Sequence, residues 1–380
     1  MQKTCQDAYH TTFPSLTSML FHHEQQMKES QWPRTQVNHL SVAPLDEHAP
    51  LYGDLSSFAT GVSQDAVEDT AKNLGLAIRV DGVYYPLRET AWKSLLDRAK
   101  IGGTALPKLS REKLADVLNS CLALHSAESL LLIRDEKVSA VHSGDPKDYS
   151  ILPIYELLQH LQIKLDERFP ESSFEDGYTD HAITSMSVLL PKQRDELLEN
   201  YQKTLVTLGK TTIANKLMPG LRFSTSDVGL ASAKVSALLL GLQMPIQIGD
   251  MIAVEHRWQK KPGDFAEAMD KVFARFGDYI GKLEKLTDVH LDHPVNAMTA
   301  ICKKLSLPKK AAMEAISMFE STYGGGTATA HDVFLALQEI PFILKGDHVQ
   351  KNKLLAVDEL LARTVTLRWS DYDYAKAVSY

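Results

Sequence analysis

The chain has 380 residues, 44% of them apolar and 23% charged, with a net charge of −7 and three cysteines. These are the proportions of an ordinary folded globular protein long enough for two or three domains, and no apolar tract is long enough to span a bilayer. Cys5, Cys121 and Cys302 are odd in number and far apart, without a C-x-x-C, which argues against a disulfide framework and a thiolate zinc site. The opening "MQKTCQDAYHTTFPSL" lacks the charged-then-apolar layout of a secretory signal, so a cytoplasmic location is expected. Charge is uneven: residues 221–380 hold 19 Lys+Arg against 19 Asp+Glu, and the first 220 hold 22 against 29. A generic duplex-DNA binder would be basic, and this chain is not.

Taken in chain order, residues 1–60 are rich in His, Gln, Ser and Pro and lack sustained periodicity, apart from a short helix near "LTSMLFHHEQQMKES"; they predict an irregular N-terminal arm. The globular part begins with a helix at "SQDAVEDTAKNL", capped by Ser63. In "LAIRVDGVYYPL" the pair Asp81-Gly82 separates two β-rich runs and predicts a hairpin, because Asp-Gly suits the positive φ angles of a two-residue turn. Helices follow at "ETAWKSLLDRA" and "SREKLADVLNSCLAL", the second capped by Ser110, and then a hairpin at "SLLLIRDEKVSAVHS" turning at Asp135–Lys137. "PIYELLQHLQIKL" reads as helix, "HAITSMSVLL" as a half-buried strand, and "PKQRDELLENYQKTLVTLGK" as a helix opened by Pro191. The apolar run "VSALLLGLQMPIQIGDMIAVEHRW" is β-leaning with a turn expected at Gly249-Asp250. From Pro262 onward apolar residues recur at three- and four-residue spacing, broken by Pro- or Gly-marked turns. The predicted fold is α+β: a mixed helix and antiparallel-hairpin domain over 61–260 and a mainly helical C-terminal region over 261–380, without a Rossmann rhythm or an internal repeat.

Several stretches look like chemistry. "TDVHLDHP" packs two aspartates and two histidines together, and a metal or general-base role for His290, Asp292 and His293 is the enzymatic reading. A helical two-histidine zinc site wants its pair four apart on one face, and here Pro294 follows His293 directly. Pro disfavours helical geometry before it and suits the first helical position, so His293 is expected to cap a helix, with Asp288 and Asp292 satisfying free N–H groups or closing a turn. "GKTT" at 209–212 lacks the glycine five residues upstream that a phosphate-binding loop needs, which leaves Gly209 as a helix C-cap or a kink. The triple glycine at 324–326 ends one helix, and Thr329 with Asp332 starts the next as a capping box. No G-x-S-x-G or H-E-x-x-H occurs, so the sequence leans away from an enzyme and predicts neither cofactor nor metal. The positive signal is aromatic residues beside basic ones: Arg257, Trp258, Lys260 and Lys261 in "HRWQKKPGDF", and Arg368 and Trp369 in "LRWSDYDYAKAVSY". Single-strand binders need cations for phosphates and aromatic faces for bases.

From residue 88 onward the order of phrases resembles a family of uncharacterised proteins carried by phages, prophages and plasmids, catalogued as domain of unknown function nine hundred and thirty-two. The similar pieces are "RETAWKSLLDRAKIGGTALPKLSREKLADVLNSCL", "LLLIRDEKVSAVHSGDPKDYSILPIYELLQHL", "PGLRFSTSDVGLASAKVSALLL", "KLEKLTDVHLDHPVNAMTAICKKLSLPKK" and "GGGTATAHDVFLALQEIPFI". Where the family has a Cys-Thr-Asn-Gly phrase after its central strand, this chain reads "LGLQMPIQIGD". The resemblance implies a mobile-element protein of the host cytoplasm and supplies no activity.

The expected function is thus that of a non-enzymatic accessory protein in DNA transactions, binding single-stranded DNA or a replication or recombination complex. The alternative is a counter-defence or host-takeover protein that engages a host protein through its acidic N-terminal part. Partners expected on these readings are single-stranded DNA and host or phage replication or defence proteins, with no membrane partner; a homo-oligomer is left open.

Overall fold

A computed structural model of the protein describes residues 3–242, 244–323 and 326–380. It opens with strand β1 (His10–Phe13) and helix α1 (Leu16–Glu29), followed by the short strands β2 (Arg34–Gln36) and β3 (Ser41–Pro44). Next come α2 (Gln64–Lys72), the hairpin β4 (Leu76–Val80) and β5 (Val83–Pro86), helices α3 (Ala91–Ala99) and α4 (Arg111–Leu122), and a second hairpin of β6 (Glu128–Arg134) and β7 (Lys137–Ser143). Helix α5 (Ile154–Arg168) leads to β8 (Ser173–Asp180) and β9 (Thr184–Leu189). Helices α6 (Arg194–Thr207) and α7 (Thr211–Lys216) precede β10 (Met218–Thr225), β11 (Ala233–Leu240) and β12 (Ile246–Val254). The remainder is α8 (Pro262–Lys285), β13 (His290–Leu291), α9 (Pro294–Lys304), α10 (Lys309–Tyr323), β14 (Ala328–Thr329), α11 (Ala330–Leu337), α12 (Glu339–Gly346) and α13 (Lys351–Ala362). The fold is α+β, with antiparallel sheets and a helical C-terminal region.

Both predicted hairpins form, the first for the predicted reason. Asp81 and Gly82 take φ of 49° and 93° between the paired residues Val80 and Val83. The second turn is harder, because Asp135 and Glu136 adopt φ of 49° and 70° without a glycine. Glu136 is held there by its own side chain, which accepts the N–H and the hydroxyl of Ser63, the N-cap of α2, at 2.7 and 2.5 Å.

Residues 1–60 do not form the expected irregular arm. β1 pairs with β8 at the edge of a six-stranded sheet ordered β1-β8-β9-β10-β11-β12; β2 pairs with β6, and β3 with β4, in two three-stranded sheets. Strands of three or four residues have at most two inward positions, too few for a period to register, and their hydrogen bonds go to partners far along the chain. The turn expected at Gly249-Asp250 is also absent. The chain reverses before Ile246, and Gly249 lies inside β12, where the register against β11 shifts between Val235 and Ala237. Gly249 has φ +69°, and a Cβ there would lie 2.3 Å from the Tyr279 ring, so this position is a bulge over which an aromatic ring closes.

Two cores follow from this arrangement. Helices α3 and α4 cover the smaller sheets, burying Leu95, Leu114, Leu118 and Leu122 against Ile78, Leu131 and Val141. The larger core gathers α5 through Leu157, Leu158, Leu161 and Leu165, the six-stranded sheet, and the C-terminal helices as far as Trp369. Phe265 of α8 meets Phe223 of β10 edge-on at 5.5 Å. The larger core is therefore continuous across residue 260, and the change from one core to the other falls near residue 150.

Candidate functional site

The segment after β12 carries the first group of expected binding residues. Trp258 and Gln259 both adopt left-handed backbone, φ 62° and 57°, which costs a non-glycine residue about 1–2 kcal/mol. The loop persists because it is bolted to the turn at 145–150. The Trp258 N–H donates to Lys147 O at 3.1 Å, the Gln259 N–H to Pro146 O at 3.1 Å, and the Ser150 N–H to His256 O at 2.8 Å. Beneath it lies a stack of rings. His142 and Tyr149 are face to face at 3.5 Å and 5°, with His256 and Trp32 on either side, and both His142 Nε2 and the Tyr149 hydroxyl donate to the Asp227 carbonyl. Burial pushes His142 and His256 down to about 4, so both are neutral near pH 7. Asp227 is pinned by Arg134 at 2.5 and 3.3 Å; burial works against its charge, but the guanidinium holds its carboxyl below the usual range.

On this support Trp258 is 63% exposed. Of its basic neighbours, Arg257 is paired with Glu255 and Lys260 lies 3.4 Å from Asp264, while Lys261 offers its ammonium to solvent. Trp369 is different and corrects the expectation. It is 2% exposed, with Nε1 donating to Thr364 O at 3.0 Å inside the larger core, so it has no face to offer a base. Arg368 is exposed and 3.4 Å from Asp371; the structure does not join it to the Trp258 loop.

In the stretch 287–294, His290 is exposed in β13 opposite Thr329, and His293 takes the N-cap of α9 with Pro294 next. The carboxylate that fixes the approach to the helix is neither Asp288 nor Asp292 but Asp373, which accepts the N–H groups of Asp292 and His293, just before the first helical residue, at 2.9 and 2.7 Å. Among the described residues, no three His, Cys, Asp or Glu side chains are placed to share a metal ion. Gly209 ends α6 as a Schellman cap, φ +75°, with Gly209 N–H to Val206 O at 3.0 Å and Lys210 N–H to Leu205 O at 2.8 Å. Lys210 turns to Asp332 at 2.5 Å, and Thr329 and Asp332 form the expected capping box; Gly324 and Gly325 lie outside the described residues.

One recess was invisible in the sequence. A cleft of about 580 Å³ is walled by four distant segments: 7–10, 88–93, 178–182 and 348–352. Its floor adjoins a buried charge network. Lys137, fully buried, donates to Asp7 at 3.0 Å and Asp69 at 2.5 Å, and Arg88 reaches Asp7 at 3.4 Å and the carbonyl of Gln6 at 3.3 Å. Asp7 also accepts the Glu89 N–H, and His181 donates to Gln6 O at 3.0 Å. Burial lowers Arg88 to about 10 and keeps His181 well below its usual value. A smaller groove of about 340 Å³, lined by Tyr149, Lys234, His256 and Arg257, adjoins the cleft at Leu230, which lines both. No local signal could have found the cleft, since no two of its walls are neighbours in sequence.

The chain matches no protein-family model, no curated protein and no solved structure with which it was compared.

Proposed function

We propose that this is a binding protein of a phage or plasmid, acting in the cytoplasm on DNA transactions, and that it holds single-stranded DNA through the 255–261 loop and the groove beside it. The observation that carries the reading is Trp258. A large indole is held out in solvent on strained backbone by three hydrogen bonds and a stack of buried rings, with Arg257, Lys260 and Lys261 around it. Strain of this kind survives where the surroundings fix it, and it gathers at working sites. A base can stack on the free indole while the cations meet phosphates, and the adjoining groove and cleft give a strand a path across Leu230.

The reading is tested by fluorescence anisotropy of labelled single- and double-stranded oligonucleotides at low and physiological salt. Micromolar single-strand binding is expected, weaker for duplex, with a log–log salt slope of about −2 if roughly three phosphates are neutralised. Absence of binding at low salt overturns it.

A further inference from the structure

The cleft between segments 7–10, 88–93, 178–182 and 348–352 carries cationic donors that the protein's own hydrogen bonds and ion pairs leave partly unused. Lys351 is the clearest. Its ammonium sits 5.8 Å over the Tyr178 ring, and among the described residues it has no hydrogen bond or ion pair. Lys93, on the rim, is likewise without a partner there, and the fully buried guanidinium of Arg88, part of the wall, leaves Nη2 unbonded. Lys351 and Asn352 are also the first two residues of α13, whose N-cap Gln350 makes no side-chain bond, so the positive end of that helix borders the same space, although the Lys353 N–H is taken by Asn352 Oδ1 at 2.9 Å. The carboxylates of the cleft are mostly occupied. Asp7 serves Arg88, Lys137 and the Glu89 N–H, and Asp180 accepts the Tyr178 hydroxyl at 2.8 Å and the N–H groups of Ala182 and Ile183 at 2.7 and 2.8 Å. Only Glu89 remains, its carboxyl pushed up by burial and by Asp7 and Asp69.

We infer that this cleft binds a nucleoside phosphomonoester, with the phosphate at Lys351 and the N-terminus of α13 and the base among the rings of His10, Tyr178 and Trp92. His10 and Tyr178 are stacked at 6.0 Å and Trp92 is half-buried in the wall. Glu89 is an acceptor for the hydroxyl and amino groups of a nucleoside, and its charge disfavours a polyphosphate. The volume is within the range of small-ligand sites, about 300–1,000 Å³. The same group could arrive as a free nucleotide or as the phosphorylated end of a strand; only the second source rests on the single-strand reading.

Calorimetry of the full chain with each of the four ribonucleoside 5′-monophosphates, with inorganic phosphate and with the unphosphorylated nucleosides tests the site directly. At least one monophosphate is expected to bind at sub-millimolar concentration and more tightly than its nucleoside. Lys351→Gln should weaken it at least tenfold and Lys93→Gln by a few-fold. A parallel anisotropy titration compares 5′-phosphorylated with 5′-hydroxyl oligonucleotides. A preference for the phosphorylated end that Lys351→Gln removes identifies the strand as the source; monophosphate binding without that preference identifies the free nucleotide. If no monophosphate binds at millimolar concentration and the two oligonucleotides bind alike, or if binding survives both lysine substitutions, the inference is overturned. Monophosphate binding with no oligonucleotide binding leaves the inference standing and removes the single-strand reading.

Discussion

The network around Asp7 and the loop around Trp258 treat charge and strain in opposite ways. At Asp7, two buried cations and two carboxylates close on one another, and what they achieve is attachment: the first residues of the chain are fastened to α2, β7 and the start of α3. At Trp258, an apolar ring and a lysine are turned outward on a backbone that would relax if released. The contrast teaches that charge density alone does not mark a site. The denser cluster is structural, and the sparser one is left available.

Acid should have the largest effect, and it falls in part on the buried support of the open side. His23, His142, His256 and His331 are buried, and burial lowers them to about 3, 4, 4 and 4. A histidine depressed in the folded state contributes stability that is complete above its unfolded value of about 6.5 and is lost as pH falls toward the folded value. Chemical denaturation across pH 7 to 4 should therefore show several kcal/mol of lost stability below about 6.5, in the stack under Trp258 as elsewhere. A flat profile through that window would remove the ring stack as a neutral support.

Asp7→Ala comes next. It leaves Lys137 with Asp69 alone and Arg88 without a carboxylate, in a place from which water is excluded, and should cost about 3–5 kcal/mol in urea denaturation. A cost under 1 kcal/mol would mean that the network is looser than its distances say. Trp258→Ala is the complementary test on the open side. Stability should stay within about 0.5 kcal/mol, because the indole is exposed, while single-strand affinity should fall about tenfold or more, the worth of one stacked base. The smallest effect is Gln259→Gly. Relief of a left-handed backbone, set against the greater freedom of glycine in the unfolded chain, should leave stability unchanged or raised by about 0.5 kcal/mol. A loss above 1 kcal/mol would show that the loop is not strained at that residue.

The sequence spoke clearly wherever the determining physics was local. Asp81-Gly82, Ser63, Ser110, Gly209 and the Thr329–Asp332 box each act within four residues, and each does in the fold what its chemistry predicts. It was silent where partners are distant. Trp258 and Trp369 sit in similar phrases, arginine before tryptophan, yet one is exposed and the other is core, because only packing of the turn that carries Trp369 against α9, distant in sequence, decides the second. The same holds for Asp373, which takes two backbone N–H groups some eighty residues earlier, and for the cleft assembled from four segments.

The fastening of the first residues also bears on how the molecule is made. Gln6 receives one hydrogen bond from His181, 175 residues later, and β1 has no strand to pair with until β8 exists. At synthesis rates of about 5–20 residues per second, β1 waits roughly 10–35 s for β8 with its hydrogen-bonding edge bare. During that interval the strand is a natural client for a chaperone.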